Sequence, residues 1–310
     1  MMELARQWLQ GKGIELGRGA HNPLAPADCI SVAPCDGVRY VDERDLIDYQ
    51  VYAAEQQRHG RGVDQVDVVA EASALPFADD ELDYVASSHV LEHLPDIFSA
   101  WLEWWRVLRP GGVSFMIVPK RDALVEDSVR PVTGLEEHVE AFRQRVTPQS
   151  LLPEQPWRTH YHIFTLQGLF AALNWFNQQD LGGCWLLEAQ EESDSNVGNG
   201  HTLVLSKQAD LPVLEHSIGQ LGAAFQAERY AEAALLARQA LSLNFRIHEA
   251  WFILAMSQLQ LGDSRAAVQS LTQALVLQPK HAEYRDVYQQ LLGQPFSYPM
   301  SLVDYLSRLL

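Results

Sequence analysis

Glycines, acids and histidines stand along the first half of the chain where they can bind a ligand as well as fill a core. Gly13-Ile14-Glu15-Leu16-Gly17-Arg18-Gly19-Ala20 is a short apolar run that carries a carboxylate and closes on a glycine turn. Gly17 and Gly19 have no Cβ, so the backbone there can take positive φ and come close to a ligand, with amide groups turned toward a carboxylate. A second apolar run, Val38-Arg39-Tyr40-Val41, ends in Asp42. An acid that closes the second strand of a nucleotide-binding βαβ unit can accept both hydroxyls of a ribose. Four of the later histidines need weighing, His89, His138, His160 and His162, and imidazole is the side chain suited to proton transfer near neutral pH. His160 and His162 are two apart, so on an extended segment they share a face. His138 beside Glu137 could complete a divalent-metal site with them. Polar loop histidines that contact a substrate or pack on the sheet are the preferred reading, and no metal ligand is assigned. His93 reads as a structural residue in a turn.

These groups need strands and helices in alternation to hold them. The first strand is followed by the strand ending at Asp42, a helix over Arg44 to Gln57, strands over Val66 to Ala70 and Leu82 to Ser87, and a helix over Ile97 to Leu108. In that last helix Ile97, Trp101, Trp104, Trp105 and Leu108 recur at helical spacing, and Pro110-Gly111-Gly112 stops it. The tryptophans read as core. A strand over Val113 to Val118, a helix over Leu166 to Phe176 and a hairpin of Cys184 to Leu187 with Thr202 to Leu205 complete the series. Asn22-Pro23, Pro26 and Pro34 argue against a regular helix before Val38.

Four segments in order resemble class I S-adenosylmethionine-dependent methyltransferases. They are Gly13 to Ala20 with Val38 to Asp42, Val68 to Asp83 with its Ala70-Glu71-Ala72 and Leu75-Pro76-Phe77, Ser88 to Asp96, and Arg106-Val107-Leu108-Arg109-Pro110-Gly111-Gly112. The resemblance implies an α/β, Rossmann-like sheet of seven strands, the last antiparallel. It implies S-adenosyl-L-methionine as cofactor, held by Glu15, Gly17, Gly19, Asp42, Glu71, Ala72 and Ser88. Glu71 stands where the family usually has Asp and would accept from the adenine amino group, while the Ala72 amide addresses the ring. A dehydrogenase is the first rival, but the dinucleotide fingerprint wants a third glycine where this chain has Asn22.

About forty-five residues, Lys120 to Phe164, lie between the fifth strand and the Leu166 helix, where the basic fold needs only a short loop. This insertion holds six basic and seven acidic residues. It is nearly neutral in a strongly acidic chain. It is expected to act as a lid over the acceptor, with Phe142, Trp157 and Tyr161 giving it order. Arg130-Pro131-Val132-Thr133, Glu136-Glu137-His138 and His160-Tyr161-His162-Ile163-Phe164-Thr165 look like a subgroup of these methyltransferases associated with glycan and polysaccharide assembly. Methyl transfer is an in-line displacement, so alignment supplies most of the acceleration, and a base is needed only for a weakly acidic hydroxyl. His89, His138, His160 and His162 are the candidates for that base or for polar contacts to the acceptor.

After Lys207 the pattern is helical only. Trp251, Leu254, Ala255, Ala267, Leu271, Ala274 and Pro279 look like the signature positions of tetratricopeptide repeats, and Ala233, Ala240 and Leu241 precede Ala267, Ala274 and Leu275 by 34 residues. The expected organisation is a methyltransferase domain over 1–208 with the insertion at 120–164, an all-α repeat domain over 209–293, and a tail helix over 294–310. The repeats would pack on the catalytic domain or serve a homo-oligomer or protein partner.

At 310 residues and 47% apolar content the chain can bury two cores. Cys29, Cys35 and Cys184 are odd in number and show no metal or redox spacing, which fits a reducing compartment. No signal-peptide core or membrane-length apolar run appears, so cytoplasmic residence is expected. A formal net charge of −17 works against nucleic acid and anionic membrane as partners. The expected activity is methyl transfer to an O or N atom of a small-molecule or glycan-linked acceptor. Alternatives are a catalytically silent cofactor-binding scaffold, or a different reaction of the sulfonium on the same fold.

Overall fold

The computed structural model describes residues 3–297 other than 18–23, 27, 59, 61, 64, 151–159, 180, 196 and 211–213. Two compact units make up the chain: residues 1–185 with 192–209, and residues 186–191 with 210–310.

The first unit opens with α1 (Glu3–Trp8), β1 (Gly13–Leu16), β2 (Ile30–Ala33), α2 (Glu43–Arg58), β3 (Val68–Val69) and β4 (Leu82–Ser88). A single 3-10 turn, Leu91–His93, leads to α3 (Ile97–Val107) and β5 (Leu108–Pro119). Three helices, α4 (Val125–Ser128), α5 (Leu135–Gln144) and α6 (Leu166–Asn177), precede β6 (Cys184–Glu191), whose residues from Leu186 on are grouped with the second unit, and β7 (Gly200–Gln208). The seven strands form one sheet in the order β3-β2-β1-β4-β5-β7-β6. β1 to β5 are parallel and β7 runs antiparallel to β5. Most of the strands are apolar on both faces, as a sheet covered on both sides requires.

Register brings the carboxyl ends of four strands level. Leu16 is paired with Val32 and with Ser87, and Ala33 with Val69. Strand order reverses between β1 and β4, which makes the edge beyond Leu16 and Ser88 the crevice of a doubly wound sheet. α3 supports that edge. Asp96 caps it, accepting from the Phe98 and Ser99 N–H groups at 3.1 and 3.0 Å. Trp101 and Trp104 are fully buried on its inner face, as their helical spacing requires. The helix stops at Val107, where the chain turns extended into Leu108 and Pro110. Lys207 of β7, itself buried, closes the far side: its Nζ donates to Asp80 Oδ1 and to the Leu108 carbonyl and lies 3.9 Å over the Trp105 ring.

One strand expectation is corrected. β2 is Ile30–Ala33, ahead of the run Val38 to Asp42, which keeps only an isolated antiparallel bridge of Cys35 with Tyr40. The reason lies in the turn at Asp36, whose carboxylate accepts from the Val38 and Arg39 N–H groups at 2.9 and 2.6 Å and folds the chain back on itself. Asp42 therefore stands immediately before α2 and not at the end of a sheet strand.

The second unit contains α7 (Leu214–Gln226), α8 (Tyr230–Leu243), α9 (His248–Gln260), α10 (Ser264–Leu277) and α11 (Ala282–Leu292). Each helix packs on the next in the order α7 to α11. α9 and α10 repeat the lengths and spacing of α7 and α8, 13 and 14 residues, after 34 positions. Ala233, Ala240, Ala267 and Ala274 are fully buried, which lets backbones approach closely. Residues 298–310 lie outside the described residues, and with them most of the expected tail helix over 294–310; residues 294–297 are not helical.

Candidate functional site

β1 carries Glu15 and Leu16 to the sheet edge, and Gly17 turns the chain away at φ 58°. A Cβ there would meet Val90 Cγ2 at 2.8 Å. The Gly17 N–H itself is used by the sheet, donating to the Val32 carbonyl at 2.8 Å. Gly19, the second glycine of the turn, lies outside the described residues. Glu15 is buried, and its Oε1 accepts from the Leu24 N–H at 2.8 Å, tying the returning loop to the strand.

These residues wall one side of a cavity of about 620 Å³. That size suits a cofactor-sized ligand. Val32, Ala33 and Cys35 continue the wall from β2, and Ala70, Glu71 and Ala72 extend it from β3. Ser88 and His89 come from the end of β4. α2 contributes Asp45, Asp48, Tyr49, Tyr52 and Gln56, one face of a helix at spacings of three and four. Of the expected cofactor residues, Glu15, Gly17, Glu71, Ala72 and Ser88 thus line one cavity.

Asp42 does not line it. Arg44 grips the Asp42 carboxylate through Nε at 2.8 Å and Nη2 at 2.9 Å, and the Arg44 N–H donates to it at 3.0 Å. Asp45 in turn accepts from the Asp42 N–H at 2.9 Å. These are reciprocal capping contacts at the start of α2. Asp48, one turn further on, brings a carboxylate of the same stretch to the cavity wall.

The histidines separate into two groups. His89 and His160 line the cavity, and so does His93, which the sequence reading took for a turn residue. His138 and His162 do not. His138 is buried, stacked on Phe164 at 5.5 Å and edge-on to His162 at 4.5 Å and to Phe98 at 6.2 Å. Burial pushes its imidazole down to about 3. His162 is also buried and held down by burial, with Nε2 3.2 Å from the Pro95 carbonyl. Both belong to an aromatic core and stand off the cavity wall. His160, in the cavity wall, stands apart from this pair.

Glu92 is the residue that sequence reasoning passed over. It is fully buried, and neither carboxylate oxygen has a hydrogen-bond partner. Three imidazoles face its Oε1: His89 Nδ1 at 3.6 Å, His93 Nε2 at 3.9 Å and His160 Nε2 at 3.9 Å. Burial pushes its carboxyl up to about 8. The peptide carbonyl of Glu92 accepts from the Tyr161 N–H at 2.7 Å, which pins the insertion beside it. The signal was present in Ser88-His89-Val90-Leu91-Glu92-His93, an acid between two histidines after a strand, but the arrival of His160 is a tertiary event. The insertion also brings Ala123 and Leu124 to the wall, while Trp157 and Arg158 lie outside the described residues. Cys29, Cys35 and Cys184 are buried and form no disulfide with one another.

Residues 29–116 match the family model of the methyltransferase domain. An uncharacterized methyltransferase of Mycobacterium avium strain 104 is 47% identical over 49 residues, 16% of this chain and 19% of the relative. One from Mycobacterium tuberculosis strain H37Ra is 48% identical over 46 residues, 15% of this chain and 18% of the relative. The chain thus spans about a fifth of the length of these curated relatives. A solved S-adenosylmethionine-dependent methyltransferase of Methanosarcina mazei is 18% identical, covers 68% of this chain and 99% of its own, and superposes with a TM-score of 0.37. Among the described residues no helix is long and apolar enough to cross a membrane.

Proposed function

We propose that the chain, which carries a methyltransferase domain over residues 29–116, transfers a methyl group from S-adenosylmethionine to an oxygen or nitrogen of a small-molecule or glycan-linked acceptor. The carrying observation is the cavity itself. It opens at the carboxyl ends of the parallel strands, where strand order reverses, and five of the residues expected from the resemblance to hold the cofactor line it.

The residues present fit that cofactor. The bare Cα of Gly17 leaves room that a Cβ would fill against Val90. Glu71 and Ala72, neighbours in the cavity wall, would meet the adenine amino group and ring. Asp48, in place of Asp42, offers a carboxylate for the ribose hydroxyls. When bound, S-adenosylmethionine supplies a methyl carbon made electrophilic by its sulfonium. The chain's own part is to align the acceptor and exclude water. His89 and His160 share the cavity with the cofactor residues, so an acceptor's hydroxyl proton would be taken there, with the 120–164 insertion as the lid. We also read α7 to α11 as tetratricopeptide-type repeats serving assembly or a protein partner. The 34-residue period of both helix pairs and their buried alanines support this.

Calorimetry tests the cofactor half. Binding of S-adenosylhomocysteine without binding of nicotinamide dinucleotides is expected, and no binding of the former overturns the reading. Release of S-adenosylhomocysteine across a panel of sugars, nucleotide sugars and amines, with product mass, tests the transfer. A product heavier by a group other than methyl would replace methylation with another reaction of the sulfonium.

A further inference from the structure

We infer that Glu92, His93 and His160 form a binding site for one divalent transition-metal ion, zinc-like in its preference, on the wall of the cavity. Among the described residues these three bring one ligand atom each within 4.8 Å of one another. They come from separate places, the 3-10 turn after β4 and the end of the 120–164 insertion, so the fold has to assemble them.

Three observations converge on an ion. First, Glu92 is fully buried with both oxygens lacking hydrogen bonds. A buried carboxylate without partners is costly unless paired or bound to a metal. Second, the 3.9 Å separations from Glu92 Oε1 to His93 Nε2 and His160 Nε2 are too long for hydrogen bonds. With metal–ligand bonds of about 2.0 to 2.2 Å, two ligands of one ion stand between ~3.4 Å apart at a tetrahedral angle and ~4.2 Å apart on opposite sides. The observed distances fall in that interval. Third, His160 is already oriented from behind. Its Nδ1 lies 2.5 Å from Asp127 Oδ2, and Asp127 Oδ1 accepts from Arg130 Nη1 at 3.0 Å. A carboxylate on the far nitrogen of a ligating histidine fixes the tautomer and turns Nε2 to the metal.

Two imidazoles and one carboxylate suit zinc, iron, cobalt or nickel better than magnesium or calcium, which prefer all-oxygen shells. His89, with Nδ1 3.6 Å from the same Glu92 oxygen, stands beside the remaining coordination positions. Because all four residues line the cavity, an ion held there would be reached by an acceptor hydroxyl, whose proton it would make easier to remove. The site does not depend on the methyl-transfer reading, since its residues and its test involve no cofactor.

The competing explanation is that Glu92 simply carries a proton and no ion binds. Full-length chain stripped by chelator and dialysed should be titrated with Co²⁺ and Zn²⁺, followed by visible absorption and calorimetry. The expected result is one equivalent bound, with the d–d absorption of imidazole-ligated Co²⁺. Glu92→Gln, His93→Ala and His160→Ala should each weaken binding at least tenfold. Asp127→Asn, which touches no ion, should weaken it about 10- to 100-fold. Thermal melts monitor folding in each variant, and Asp127→Asn decides the matter where a ligand variant does not fold. Uptake of less than half an equivalent at 100 µM ion by the unaltered chain overturns the proposal. So does binding by folded Glu92→Gln or Asp127→Asn as tight as the original, which would place the ion elsewhere, as on a cysteine. S-adenosylhomocysteine affinity measured in parallel keeps failure of this site distinct from failure of the methyltransferase reading.

Discussion

Asp42 and Asp48 are six residues apart and have different work to do. The Asp42 carboxylate is taken up by Arg44 at the start of α2, whereas Asp48 lines the cavity. If Asp48 holds the ribose, Asp48→Ala should lose charge-assisted hydrogen bonds of about 1.5 to 3 kcal/mol, roughly ten- to hundredfold in S-adenosylhomocysteine affinity. Asp42→Ala should leave affinity within about twofold and lower stability instead, by an N-cap's worth of about 1 kcal/mol. Calorimetry on the two variants decides between them; the reverse pattern would restore Asp42 to the ribose. His138 makes a second residue-scale prediction. Its folded value of about 3 lies far below the ordinary 6.5, because burial penalises the imidazolium. The unfolded chain then binds a proton below pH 6.5 that the folded chain refuses. Stability is fully present above pH 6.5 and falls as pH drops toward 3, at up to about 1.4 kcal/mol per pH unit. His138→Phe should flatten part of the fall in melting temperature between pH 6.5 and 4.5, while buried His162 and His201 keep the rest. An unchanged slope would reject this.

At the scale of elements, β1, β4 and α3 decide where the site is. β1 ends at Leu16, paired with Ser87, and β4 ends one residue later at Ser88, so Gly17 and His89 leave the sheet at one edge. The turn after β4 then has to present Glu92 and His93 before α3 begins, and Asp96 fixes that beginning. Its carboxylate accepts from two backbone N–H groups and from the Ser99 hydroxyl at 2.5 Å. Asp96→Ala should cost about 1 to 2 kcal/mol, lowering the melting temperature by about 2 to 8 °C. A melt unchanged within a degree would mean that the cap does not set α3. Gly17→Ala belongs here too. The backbone there sits at positive φ, which a residue with a Cβ disfavours, and the added Cβ would meet Val90 at 2.8 Å, so the turn must shift. More than tenfold loss of S-adenosylhomocysteine affinity with the fold retained is expected by calorimetry, and retained affinity would detach the turn from the cofactor.

At the scale of the whole molecule the helical unit includes Leu186–Glu191, and within it the Leu187 N–H donates to the buried Ser242 hydroxyl at 2.6 Å. A chain ended after Ala209 would leave those six residues without their helices. We expect it to melt lower than the full chain by several degrees in calorimetric scans while still binding S-adenosylhomocysteine. Equal melting would make the helices dispensable to the rest. The two helix pairs were legible beforehand because alanines 34 residues apart mark positions where backbones touch, and a local repeat is written in local sequence. The glycine turn at Gly17, the helix of tryptophans from Ile97 and the strand at Leu82 were legible for the same reason: each follows from the period of its own side chains. The run ending at Asp42 was not, because strand propensity names residues able to pair and cannot say which of two neighbouring apolar runs the sheet selects. The histidines were further out of reach. His138, His160 and His162 lie within 25 residues and look alike in sequence, yet folding buries two against Phe164 and sets the third against Asp127 and Glu92. The sequence by itself determined the sheet's chemistry at its edge and the helical period. Only the tertiary structure decided which carboxylates and imidazoles meet, since those meetings join residues as far apart as Glu92 and His160, and such distances are closed by packing and not by spacing.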